Sequence, residues 1–70
     1  MVQENEPDSL VLLLTAEEAA RRLGISRSKL YGLLLSGDVW SVQIGRLRRV
    51  PVEAISAYVE ELIQDQGDPR

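Results

Sequence analysis

Two clusters of basic side chains could do chemistry in this chain, and that chemistry is the binding of anions. Arg27 and Lys29 alternate with Ser26 and Ser28, and Tyr31 follows four residues after Arg27. At the start of a helix, free backbone amides and the positive dipole end face an incoming phosphate, and hydroxyls add short hydrogen bonds. Arg46, Arg48 and Arg49 crowd a second stretch just after Gly45. At a hairpin tip such long cations can follow a phosphate backbone or enter a minor groove. Competing chemistries lack their residues. The chain has no Cys and no His, which removes thiol nucleophiles, disulfides, zinc fingers and the usual general base. No cofactor site and no metal set is expected, and catalysis is not expected either.

The charge is partitioned along the chain. Residues 1–20 hold five acids and no base, residues 21–49 seven bases and one acid, and residues 50–70 five acids and one base. The three blocks carry −5, +6 and −4 within a net charge of −3. A mildly acidic total therefore does not argue against a polyanionic partner, because the basic block is concentrated. Both cationic clusters lie inside it.

The elements that must position these clusters are legible from spacing. Thr15-Ala16-Glu17-Glu18 is a capping box, and Ala16, Ala19, Ala20 and Leu23 then recur on one helical face. Glu17 with Arg21 and Glu18 with Arg22 stand at i,i+4 on the opposite face. Gly24 supplies the left-handed stop. Ser26 caps a second helix after a connection of two or three residues, the length of a helix-turn-helix. Leu30, Leu33 and Leu34 form its buried stripe, and Ser28, Tyr31, Gly32 and Leu35 lie opposite. Beyond Ser36-Gly37 the period becomes two, with Trp40, Val42 and Ile44 on the face expected to be covered. Gly45-Arg46 can turn a hairpin whose return strand is Leu47–Val50. A two-residue loop pairs Ile44 with Leu47 and a four-residue loop pairs it with Arg49, and the spacing leaves both open. Pro51 is expected at the first position of a third helix, with Val52, Ile55, Val59 and Leu62, supported by Tyr58, facing the core.

The order is strand or extended segment, helix, helix, hairpin, helix: a mainly α winged helix-turn-helix with a small β-hairpin. Its limits are drawn at residues 10–64. Residues 1–9 form a polar acidic tail without apolar period, and residues 65–70 a breaker-rich tail, both expected to be disordered. A domain of this size buries only about 60% of its unfolded surface. With one Trp, two Tyr and no Phe, its core must be built from Leu, Val, Ile and Ala. No apolar run approaches the roughly 20 residues that span a bilayer, and no basic region precedes Leu10–Leu14. The expected location is cytoplasmic, on the nucleoid.

Individual residues admit two uses. Arginines on a hairpin also protect a strand edge; seven bases against one acid across 29 residues favour DNA. Tyr31 can stack on a sugar or bond a phosphate, or lean on the hairpin. Gly32 costs about 1 kcal/mol in a helix interior relative to Ala, and permits close approach of a duplex. Trp40 is expected to pack in the core or under the hairpin, and Leu35 to be covered by the hairpin or to touch a partner. Arg21 and Arg22 are expected in surface ion pairs, with a phosphate as the other use.

Leu13-Leu14-Thr15-Ala16-Glu17-Glu18-Ala19-Ala20, then Leu23-Gly24-Ile25-Ser26-Arg27-Ser28, then Ser36-Gly37, Ile44-Gly45-Arg46 and Arg49-Val50-Pro51 resemble the excisionase family of DNA-binding domains. These are small winged-helix proteins related to the DNA-binding part of MerR regulators, and the resemblance covers about residues 12–63. It implies that Ser26, Arg27, Ser28, Lys29 and Tyr31 lie on the recognition helix. It also implies that Gly45, Arg46 and Arg48 form the wing tip, with Arg49 at a basic position before the last helix. The family often carries a base where Gly32 and Gln43 stand and an Arg where Leu47 stands, which implies a lower phosphate affinity here; Trp40 stands where the family commonly has a Pro.

The resemblance implies a non-enzymatic recombination directionality factor that binds double-stranded DNA near an attachment site. Its other implied partners are an integrase and further copies of itself along the DNA. Two alternatives stand beside it: a small MerR-like transcriptional regulator, and a protein-interaction module without DNA binding. Fold alone does not choose among them.

Overall fold

The computed structural model describes residues 11–67. The acidic segment 1–9, Leu10 and residues 68–70 lie outside the described residues. Thr15 opens the helical part of the fold. Its hydroxyl accepts from Glu18 N at 3.1 Å while the Glu18 carboxylate accepts from Thr15 N at 2.9 Å. This reciprocal cap starts α1, Ala16–Leu23. Gly24 ends it with φ 71°, and its amide reaches the carbonyls of Ala20 and Arg21. Ser26 then caps α2, Arg27–Ser36, by accepting from Lys29 N at 3.0 Å. The two helices are therefore joined by Gly24, Ile25 and Ser26, as a helix-turn-helix requires.

A three-stranded antiparallel sheet completes the scaffold. It comprises β1 (Leu13–Leu14), β2 (Val42–Ile44) and β3 (Leu47–Pro51), in the order β1-β3-β2. Leu13 pairs with Pro51 and Leu14 with Val50. In the hairpin Val42 pairs with Arg49, Gln43 with Arg48 and Ile44 with Leu47. The two-residue loop is therefore the one adopted. Gly45 sits in it at φ 62°, a left-handed value that a glycine reaches without a Cβ clash.

One apolar cluster joins these elements: Leu14, Ala19, Ala20, Leu30, Val39, Val50 and Ala54. Leu30 and Ala19 are both fully buried, and the small alanine faces of α1 let α2 come close. Each fully buried Leu or Val contributes roughly 1.5–3 kcal/mol. No polar or charged side chain is buried among the described residues.

Three details differ from the spacing argument. Val39, not Trp40, enters the core; Val39 is fully buried and Trp40 is 48% exposed. The cause is the end of α2. Gly37 turns left-handed at φ 87°, the Ser36 hydroxyl bonds Asp38, and Val39 N returns to Leu33 O at 3.1 Å. Val39 is thereby tucked under α2 ahead of β2, and within the strand Val42 is half-buried while Ile44 is 55% exposed, so the face expected to be covered is largely open. Pro51 is the cap of α3 rather than its first residue. It closes β3, and the first helical amide, Val52 N, donates to Leu12 O at 3.0 Å. Finally, α3 runs Val52–Gln66, past the boundary drawn at residue 64. Its first turns pack through Val52, Ala54, Ile55 and Tyr58, but Val59 and Leu62 are exposed. A helix of this length rises about 22 Å at 1.5 Å per residue, so its far end runs beyond the elements that could cover it.

Candidate nucleic-acid interface

Ser26, Arg27, Ser28 and Lys29 occupy the cap and first turn of α2, and all four are exposed. The Ser26 oxygen accepts from Lys29 N, so its hydroxyl proton is left to donate outward. Arg27 is the most constrained of the four. Its Nη1 lies 3.2 Å from Glu17 Oε2 on α1, and its guanidinium carbon stands 5.8 Å from the centroid of the Tyr31 ring. One turn separates Arg27 from Tyr31, which is why the cation reaches the ring. Glu17 thus pairs across the helix-turn-helix and not with Arg21, four residues along its own helix. The Glu18 carboxylate is engaged in its own helix cap.

On the hairpin, Arg46 occupies the turn beside Gly45 and is exposed. Among the described residues Arg46 has no hydrogen-bond or ion-pair partner, and neither does the Lys29 ammonium. Arg48 is held tightly: Nη1 donates to Ser41 Oγ at 2.9 Å and Nη2 to Gln43 Oε1 at 2.7 Å. Gln43 in turn donates to Gly45 O at 3.2 Å, so one network runs from the β2 side chains to the loop. Arg49 donates to the Arg48 carbonyl at 3.0 Å and is half-buried.

The two clusters meet. A cleft of about 220 Å³ between α1, α2 and β3 is lined by Glu17, Arg27, Tyr31, Arg48 and Arg49, among others. Tyr31 and Arg48 also border a neighbouring open cleft with Ser41 and Leu35. Ser26, Ser28 and Lys29 at the helix start, and Gly45 and Arg46 at the turn, lie outside the lining of both clefts. Leu35 is 89% exposed, so the hairpin does not cover it. Gly32 faces open space, with nothing within 4 Å of where a Cβ would stand.

Chemically, the assembly offers a helix N-terminus, hydroxyl donors and several cations on adjoining surfaces. It lacks a grouping of three or more metal-ligating side chains among the described residues. No helix there is long and apolar enough to cross a membrane. Among the contacts that spacing alone missed are Glu17 to Arg27 and Gln43 to Arg48. The second follows once the two-residue loop is chosen, since that register sets Gln43 opposite Arg48. The first joins two helices ten positions apart, and no periodicity signals it.

Comparison with known proteins adds sequence kinship to this geometry. A family model described as a helix-turn-helix domain matches residues 13–62. A protein of Saccharopolyspora erythraea named "probable excisionase" is 54% identical over 56 residues, covering 80% of this chain and 57% of that one. An excisionase of Streptomyces ambofaciens is 43% identical over 49 residues, covering 70% of this chain and 79% of its own. The chain spans little more than half the length of the first of these relatives. No solved structure matches the chain.

Proposed function

This chain belongs to the excisionase family of helix-turn-helix domains, and on that premise we propose that it binds double-stranded DNA as a recombination directionality factor. It would sit near an attachment site and assist an integrase in excising a phage or integrative element. The role is non-catalytic. The observation that carries the proposal is the shared cleft, where Arg27 and Tyr31 of α2 stand beside Arg48 and Arg49 of β3.

In this mode α2 enters the major groove with its first turn toward base edges. Arg27 is the candidate base reader, since an arginine fork matches guanine O6 and N7. Ser26, Ser28 and Lys29 supply phosphate contacts at the helix N-terminus. The hairpin follows the adjacent backbone or minor groove, with Gly45 forming the turn and Arg46, Arg48 and Arg49 as cations. Tyr31 lies between the two contacts and can stack on a sugar. Copies bound side by side on repeated sites would coat or bend the DNA.

The test is an excision assay on a plasmid carrying both attachment sites of the element, with the integrase of the same element. Excision should require the chain. Equal excision with and without it would contradict the directionality role, and salt-dependent duplex binding in that case would leave a regulator.

A further inference from the structure

We propose that Glu17 is a positioning residue that withholds Arg27 from phosphate and presents it to a base edge. This rests on the DNA-binding function proposed above and concerns how the first turn of α2 discriminates. Three observations converge on one guanidinium. Its Nη1 is paired with Glu17 at 3.2 Å. Its central carbon stands over the Tyr31 ring, 5.8 Å from the ring centroid. Its Nε and Nη2 carry no hydrogen bond among the described residues, so the side fork that matches guanine O6 and N7 stays open.

The carboxylate acts through Arg27. It occupies the Nη1 edge of the guanidinium that would otherwise turn to a phosphate oxygen. A phosphate taking that edge would have to displace the carboxylate, whereas a base edge meeting the other side of the guanidinium would not. Glu17 and Arg27 remain more than half exposed, so their pair is weak and its effect is a bias in geometry rather than a lock. A weak pair suits a recognition residue, because the side chain can still adjust to the groove.

Four proteins test this: the full chain, Glu17→Gln, Arg27→Ala and the double variant, each titrated by fluorescence anisotropy against a random-sequence duplex at several salt concentrations. Releasing Arg27 should give Glu17→Gln a roughly two- to five-fold gain on this duplex, the range an exposed ion pair is worth. Its plot of log affinity against log salt should steepen by about 0.9, one added phosphate contact. In the Arg27→Ala background the same substitution should leave the slope unchanged. A steepening of equal size in both backgrounds would show a plain charge effect and overturn the proposal, as would no steepening in either. If the full chain shows no salt-dependent duplex binding, DNA binding itself fails, which is a distinct result. Thermal melting by circular dichroism checks folding, and Glu17→Ala serves as the second variant should Glu17→Gln melt early.

Discussion

Across the β2–β3 hairpin, Arg48 stands opposite Gln43 and donates Nη2 to Gln43 Oε1 at 2.7 Å. With Ser41 on Nη1, the long side chain is fixed before any partner arrives. A rotamer-rich side chain ordered on binding costs about 0.5–1.5 kcal/mol, and this network offsets that cost for Arg48. Gln43→Ala should therefore weaken duplex binding by about that amount. Melting should shift by no more than an exposed substitution allows, roughly 0.5 kcal/mol. Unchanged affinity would mean that DNA does not use Arg48 in this position.

Arg27→Ala addresses the recognition helix. Loss of a bidentate base contact should weaken binding to a selected site by about 1–3 kcal/mol and relax preference at one position. Selection from a random-sequence duplex library, followed by titration, measures both. A loss of equal size on selected and random duplexes would make Arg27 a phosphate contact.

Two leucines that spacing alone treats alike should behave differently. Leu30 is fully buried, whereas Leu62 is exposed at the far end of α3. Leu30→Ala should cost about 2–5 kcal/mol, comparable to what a single core this small supplies, roughly 3–5 kcal/mol. The cooperative melt should be lost. Leu62→Ala should cost less, about 1 kcal/mol, because Leu62 is already 36% exposed and lies outside the buried cluster. Similar losses at both positions would show that the end of α3 is covered in solution.

Thr15→Ala removes the hydroxyl that accepts from Glu18 N. The expected cost is about 1 kcal/mol, read as a lower melting temperature with duplex affinity unchanged at temperatures where the protein is folded.

What was legible in the sequence was local. Thr15 with Glu18, Gly24 and Ser26 signal helix ends through contacts within three or four residues, and each stands where spacing places it. The cationic clusters were legible too, because charge faces solvent and needs no packing to appear. Trp40 shows where legibility ends. A period of two extended back from Val42 reaches Trp40, but Val39 and Trp40 precede the strand, and the turn that ends α2 decides which of them is buried. The apolar period of α3 likewise continues past the point where the fold supplies anything to pack against. Glu17 and Arg27 meet only because two helices cross, a relation that exists at the level of tertiary structure.

In the proposed function the hairpin is a DNA-binding wing working with α2. The direct measurement is the slope of log affinity against log salt on a random-sequence duplex, for the full chain and for Arg46→Ala, Arg48→Ala and Arg49→Ala combined. The slope should flatten by up to about three units if each arginine meets one phosphate, and Arg46→Ala alone should remove about one. A triple variant that stays folded and keeps the slope of the full chain would contradict the wing.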